Sequence, residues 1–184
     1  HDIRFMMARD PAWATANMLR LFDFTRGEDE AWVAWRPFLD HGGLSQHLAL
    51  AMLPHYRAAQ AHILGAEKKL IGHYLEHVAT IMVRVRPADT AGWLHALLPA
   101  LPDGERLRWA RLAARDSEGM PDDSQRELWD IWLGAYWRDR RAGRLGAVTL
   151  PLTSAEAAIM AAWLCNLPAV FTEGLDLVMH SPAP

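Results

Sequence analysis

A chain of 184 residues has room for one domain or for two small subdomains that share a core. We predict a single helical domain over 1–184, with 1–87 and 88–184 as possible subdomains. Hydrophobic residues make up 51% of the sequence and charged residues 22%, a balance that excludes disorder over most of its length. The net charge of −3 hides an asymmetry, since no Lys or Arg follows position 144. A basic surface at the C-terminal end is therefore excluded.

Cys165 is the only cysteine, which excludes an intramolecular disulfide and a cysteine-based zinc site. A reducing, cytoplasmic setting is the expected compartment. The longest apolar stretch, 157–171, contains Asn166 and Pro168 and is too short to span a bilayer, so no membrane contact is expected. The first residues lack an initiator Met and a signal peptide, which suggests a piece of a longer chain.

Helix signals recur at short intervals through the first half of the sequence. Asp10 stands before a proline and is expected to cap a helix, as is Ser45 further along. Pro54 should kink or divide the helix that follows Ser45. Apolar side chains spaced by three and four residues define the helical faces. The helices predicted for this half cover 10–22, 28–39, 46–64 and 66–86.

The second half contains the strongest helical segment, 125–142. Its apolar side chains cover most of the helix circumference, so this should be the buried central helix. Residues 145–152 are the one extended segment, and Thr153 with Glu156 forms a predicted capping box. The other helices are predicted to begin near Thr90, at a cap on Asp103, after Thr153 and at Pro168, before the tail 181–184.

This pattern predicts an all-α fold of about eight to ten helices joined by short connections. Short connections favour antiparallel neighbours, arranged either as an irregular multi-helix bundle or as a short α-solenoid. Nine tryptophans imply a well-filled interior or an aromatic contact surface. Because exposed aromatic and Arg side chains are the usual anchors of interfaces, five residues are candidate contacts. They are Trp13, Trp35, Trp109, Trp137 and Arg138.

One short motif has the spacing of a metal site. Residues 73–77 read His-Tyr-Leu-Glu-His and match H-x-x-E-H, in which two His on one helix face bind zinc and the Glu acts as a base. His73, Glu76 and His77 would then serve a small zinc hydrolase. A third carboxylate ligand has only Glu127 and Glu156 as candidates, so the bland interpretation is solvated or core-edge histidines. No other catalytic residue and no cofactor motif is predicted.

A second alternative is a helical module that binds nucleic acid. Its basic surface would combine arginines from the second half with Trp109 or Trp137 as a stacking platform. Residues 84–144 contain 11 Arg but also 10 acidic side chains, which favours ion-paired solvent faces instead. The arginines concerned are Arg106, Arg108, Arg111, Arg115, Arg138, Arg140, Arg141 and Arg144.

A longer series of residues carries a family resemblance. It comprises Ala-Tyr-Trp-Arg-Asp-Arg-Arg-Ala-Gly at 135–143, Leu-Pro-Leu at 150–152, the helix 154–163, and Leu-Pro-Ala-Val-Phe at 167–171 with Glu173. The series, clearest over 125–180, resembles an uncharacterised helical domain at the C-termini of bacterial multidomain proteins. Some of these carry an upstream sirtuin-like, NAD-consuming domain of the type used in anti-phage defence. The resemblance implies that any NAD chemistry belongs to a domain outside this chain.

The leading hypothesis is thus a non-catalytic recognition or regulatory domain of a larger bacterial defence-type protein. Its partner would be a protein trigger or its own upstream effector domain, and no cofactor is expected.

Overall fold

The computed structural model describes residues 2–179, with the side chain of Asp2 excepted, so the predicted tail 181–184 lies outside the described residues. The chain forms two compact units that meet in sequence between Ile81 and Met82. Both units are helical, and the prediction of an all-α, multi-helix fold is confirmed. The predicted single domain and its subdomains stay predictions.

The N-terminal unit consists of five α-helices and one short 3₁₀ helix within its described residues. Sequence patterns placed four of these helices correctly but missed the first. The helices are α1 (Asp2–Arg9), α2 (Pro11–Asn17), a 3₁₀ turn (Leu19–Phe22), α3 (Glu28–His41), α4 (Gln46–Leu64) and α5 (Lys68–Thr80).

The C-terminal unit adds six α-helices and a small hairpin within its described part. Two segments have the wider π-helical hydrogen bonding. Its elements are a π turn (Ile81–Val85) at the unit boundary, α6 (Thr90–Leu97), a 3₁₀ turn (Leu98–Ala100), α7 (Asp103–Asp116), α8 (Asp122–Leu128), a second π turn (Trp129–Leu133), α9 (Gly134–Arg141), β1 (Arg144–Leu145), β2 (Val148–Thr149), α10 (Ser154–Cys165), a 3₁₀ turn (Pro168–Val170) and α11 (Phe171–Met179).

Side-chain caps fix several of these helix starts. The side chains of Asp10, Ser45 and Thr153 accept hydrogen bonds from backbone N–H groups three residues ahead, as the sequence predicted. The cap predicted on Asp103 is wrong. Pro102 occupies the cap position, and Asp103 accepts a hydrogen bond from Arg106 Nη2 at 2.7 Å instead.

Pro54 does not divide α4, which runs unbroken from Gln46 to Leu64. A proline removes one intrahelical hydrogen bond, the one to the carbonyl four residues earlier. Here that carbonyl belongs to Leu50, which is about half exposed. Because water can reach it, the helix tolerates the loss.

The predicted central helix over 125–142 is buried as expected but is not one regular helix. It comprises α8, the π turn from Trp129 and α9, and it buries Leu128, Trp132 and Trp137. The indole N–H of Trp132 donates to the Met82 carbonyl oxygen at 3.1 Å, which joins the two π turns. A π turn loosens the regular backbone ladder, so a side-chain donor can satisfy such a carbonyl.

Each unit packs its own aromatic core. In the N-terminal unit the Trp35 indole donates to the Phe22 carbonyl at 3.0 Å, and the Tyr74 hydroxyl donates to the Tyr56 carbonyl at 2.9 Å. In the C-terminal unit the Trp163 indole donates to the Ser117 hydroxyl at 2.8 Å. Trp35 and Trp163 therefore lie inside with their N–H groups paired, whereas the buried N–H groups of Trp109 and Trp137 have no hydrogen-bond partner among the described residues.

The extended segment predicted at 145–152 forms a two-stranded antiparallel hairpin at its start. Arg144 pairs with Thr149 and Leu145 pairs with Val148. Gly146 takes a φ of +57° in the connecting turn, a conformation that favours glycine.

Among the described residues no single helix is long and apolar enough to cross a membrane. The pair Ser154–Cys165 and Pro168–Met179 passes the same test jointly, but it is bent by 104° at its break.

Candidate functional site: a polar cavity and an exposed apolar helix face

The residues of the H-x-x-E-H motif line a polar cavity of about 390 Å³ in the N-terminal unit. Helix α5 contributes His73, Glu76 and His77, and the end of α3 contributes Asp40 and His41. The loop after α3 completes the wall. The motif therefore does lie on a concave surface, as a site would.

The two histidines of the motif are held by different partners. His73 Nδ1 lies 2.8 Å from Asp40 Oδ1, and Lys69 Nζ lies 3.0 Å from the same oxygen. The hydrogen bond from Lys69 is the main reason that the pKa of Asp40 lies below its usual value. Asp40 is thus ionised and compensated chiefly by Lys69, with His73 beside it.

His77 lies deeper and bonds to a tyrosine. Its Nδ1 is 2.6 Å from the hydroxyl oxygen of Tyr56, whose ring is fully buried. Burial lowers the pKa of His77 from 6.5 to about 4, because a charged imidazolium loses its hydration there. His77 is therefore neutral at physiological pH.

This geometry gives the zinc interpretation no support. Within residues 2–179 no three His, Cys, Asp or Glu side chains come together in a way that could hold a metal ion. Glu127 and Glu156, the carboxylates considered as third ligands, belong to the C-terminal unit. His73 and His77, both of intermediate burial, fit the core-edge part of the bland interpretation and not the solvated part.

A buried charge network occupies the C-terminal unit, and sequence patterns did not predict it. Arg140, which the sequence predicted to lie on an ion-paired, solvent-facing surface, has no exposed surface. Its Nε and Nη2 donate to the two carboxylate oxygens of Glu156 at 2.6 and 2.8 Å. Its Nη1 donates to the carbonyls of Arg144 and Leu150 at 3.0 and 2.6 Å. The pair thus ties α9, α10 and the hairpin together.

Glu156 consequently does not complete the predicted capping box. Its backbone N–H bonds to Thr153, but its carboxylate faces Arg140 and also accepts from the Tyr136 hydroxyl at 3.2 Å. Burial and the negative charge of Glu156 raise the pKa of Tyr136 well above its usual value. A Glu at the third helix position is the residue type that a capping box requires. Its carboxylate instead binds a partner that is distant in sequence, and the local hydrogen bond of the box is not formed.

The predicted contact role is wrong for three of the five residues, because they are buried. Trp35, Trp109 and Trp137 are fully buried, so their rings have no surface that a partner could touch. They belong to the core. Trp13 is 48% exposed and Arg138 is exposed, and their contact role stays a prediction.

Half of the arginines named for the nucleic-acid alternative are buried or paired with acidic side chains. Arg106 and Arg140 are buried, and both face Glu156. Arg144 Nη2 lies 2.8 Å from Asp139, and Arg115 Nη2 lies 3.2 Å from Asp116. Half of the eight arginines are thus ion-paired, which reduces the field available to a polyanion.

Helix α11 carries an exposed apolar stripe. Phe171, Leu175 and Met179 follow one another at intervals of four, which places them on one helix face. They are 40%, 38% and 71% exposed. The adjoining side of the helix packs against its neighbours, since a Cβ at Gly174 would collide with Leu164 and lie 3.1 Å from the Trp137 ring.

The sequence predicted a helix from Pro168 onward but not which of its sides faces the core. The period-of-four spacing was visible, but only the closeness of Gly174 shows that the inward side is the glycine side. We call Phe171, Leu175 and Met179 the α11 stripe.

Comparison with known proteins bears on the C-terminal unit. The fold and the exposed stripe define an all-α helical domain with a candidate interaction face. A family model described as "Domain of unknown function (DUF4020)" matches residues 81–184, and the chain belongs to this family. The matched range includes the series over 125–180 on which the resemblance rests. No curated protein and no solved structure matches the chain.

Proposed function

We propose that this chain is a non-catalytic recognition or regulatory domain that binds a protein partner through the α11 stripe. The observation that carries the proposal is the exposure of three large apolar side chains on one face of a helix. Isolated exposed apolar residues are normal, but an aligned set of them marks an interaction site more often. The stripe lies within the family-matched part of the chain.

The chemistry of this face indicates the kind of partner. No Lys or Arg follows position 144, and Glu173 and Asp176 lie on the same helix as the stripe. An amphipathic partner helix with basic residues at its rim would bury the stripe and complement the charge. Three side chains fall short of the ~800 Å² that each partner buries in a typical stable interface. The interface therefore extends beyond the stripe or is transient.

The resemblance supports a more specific setting. In this proposal the partner is a protein trigger or the upstream effector domain of the same bacterial defence-type polypeptide. A sirtuin-like effector domain would supply the NAD chemistry. The setting is cytoplasmic and reducing, in keeping with the single free cysteine, Cys165.

Site-specific photo-crosslinking in the native host tests this function. A photoreactive phenylalanine analogue replaces Phe171 or, separately, Leu175, and Glu173 provides the matched control on the same helix. We expect one discrete crosslinked protein from the two stripe positions and a much weaker product from position 173, which is exposed but on the other side of the helix from the stripe. Equal crosslinking at all three positions, or none at normal expression, would contradict the proposal.

A second measurement separates recognition from folding. Met179→Glu should abolish the crosslinked product made from position 171 while leaving the melting temperature nearly unchanged, because this side chain is 71% exposed. If Met179→Glu unfolds the chain, the residue is structural and the stripe is not a free surface.

A further inference from the structure

A second cavity lies in the N-terminal unit, beside the polar one. It has a volume of about 240 Å³ and is lined mainly by apolar side chains from the 3₁₀ turn after α2 and from α3, with α1 at its edge. Phe22 and Phe38 form an edge-to-face pair in its wall, with ring centroids 5.2 Å apart. A cavity of about 150 Å³ is enough to hold benzene, so this one has room for a ring with a short aliphatic chain.

Arg4 is the charged side chain at this cavity. His41 also lines it, and no acidic side chain does so within the described residues. The Arg4 guanidinium lies against Gly43, where an added Cβ would come within 2.5 Å of Nη1. No carboxylate of the described chain pairs with Arg4, although Arg is a strong carboxylate binder.

The nearest acidic residue in sequence to His41 faces the other cavity. Asp40 directly precedes His41, but its carboxylate is engaged by Lys69 and His73 on the polar side. Its charge is therefore largely compensated and does not occupy Arg4. An apolar cavity with an unpaired guanidinium at its mouth is complementary to an apolar group that carries an anion.

We infer that the N-terminal unit binds a small apolar carboxylate, with the hydrocarbon part against the Phe22–Phe38 pair and the carboxylate on Arg4. The same chemistry occurs in a free aromatic or aliphatic acid and in the C-terminus of a peptide that ends in an apolar residue. This site lies in the unit outside the family-matched range, and the inference does not depend on the α11 stripe.

Isothermal titration calorimetry on the full chain tests the inference with matched ligands. The probes are 4-phenylbutyrate and its uncharged analogue 4-phenylbutyramide, together with the tripeptide Gly-Gly-Phe in its free-acid and amidated forms. We expect the acid of at least one pair to bind about tenfold more tightly than the matched amide, since one charge-assisted contact is at stake. The tighter-binding acid identifies whether the source is a small molecule or a chain terminus.

Three variants keep the test specific. Arg4→Gln should remove the preference for the acid, whereas Arg9→Gln, an exposed arginine on the same helix that does not line the cavity, should leave it unchanged. Ala34→Phe should fill the cavity and weaken binding of acid and amide alike. Absence of binding by every probe, equal binding of acid and amide, or an Arg4→Gln variant that behaves as wild type would each overturn the inference. Circular dichroism confirms that each variant is folded.

Discussion

Arg140 and Glu156 form a doubly hydrogen-bonded ion pair in which neither side chain has more than 1% of its surface exposed. They come from α9 and α10, and the arginine also holds two carbonyls of the hairpin region. Such a pair costs free energy to desolvate, but removing one partner costs more, because the other charge stays buried without compensation.

Arg140→Ala should therefore destabilise the C-terminal unit by about 3–5 kcal/mol. The matched control is Arg144→Ala, which breaks the exposed pair with Asp139 and should cost about 1 kcal/mol or less. The free energy of unfolding from urea titration measures both. Similar small losses in the two variants would show that the buried pair contributes no more than a surface one.

His77 should make the stability of the N-terminal unit depend on pH. Its pKa is about 4 in the folded chain, against the ordinary histidine value of 6.5 in the unfolded chain, so the unfolded chain binds a proton first as the pH falls. Stability is complete above pH 6.5, decreases between pH 6.5 and about 4, and levels off below that range. The loss at pH 5 should be about 2 kcal/mol.

Urea titrations at pH 7.5 and pH 5 measure this loss, and two variants assign it. His77→Gln should abolish most of the pH dependence, whereas His47→Gln, at an exposed position, should retain it. A pH dependence that is the same in both variants would assign the effect to other groups.

Gly174 should be intolerant of any side chain. A Cβ there would meet the buried Leu164 side chain and the Trp137 ring, so Gly174→Ala should destabilise by about 1–3 kcal/mol through overpacking. Gly104 in α7 has no atom within 4 Å of the corresponding position, and Gly104→Ala should stabilise by up to about 1 kcal/mol. Thermal unfolding of the two variants gives opposite shifts if α11 docks as described, and shifts of one sign if it does not.

Trp132→Phe should cost about 1–3 kcal/mol beyond any loss of packing, because the buried Met82 carbonyl would lose its donor. Trp13→Phe is the control, since that ring is half exposed and its change should stay within about 0.5 kcal/mol. Amide hydrogen exchange around 81–85 should accelerate in Trp132→Phe alone. Unchanged exchange there would argue against the hydrogen bond.

Sequence patterns predicted those features that depend on near neighbours. The caps on Asp10, Ser45 and Thr153 and the buried face of 125–142 follow from local spacing, and each is present. Features that depend on distant partners were missed. Nothing local to Arg140 indicates that Glu156, sixteen residues later, will bury it.

The candidate sites divide in the same way. The motif at His73 and His77 was visible, but its meaning depended on Asp40 and Tyr56, which lie in other helices. The burial of Trp35, Trp109 and Trp137 could not be told from exposure by residue type, since Trp suits both environments. The exposure of the α11 stripe could not be predicted without knowing which side of the helix Gly174 occupies.

The π turn at Trp129–Leu133 makes the chain sensitive to length as well as to residue identity. Each residue advances an α-helix by about 100°, so deleting one residue from this turn would rotate all of α9 by that angle relative to α8. Arg140 would then swing away from Glu156, and Trp137 away from Gly174. Relatives that keep this architecture should have no single-residue gap between 129 and 140.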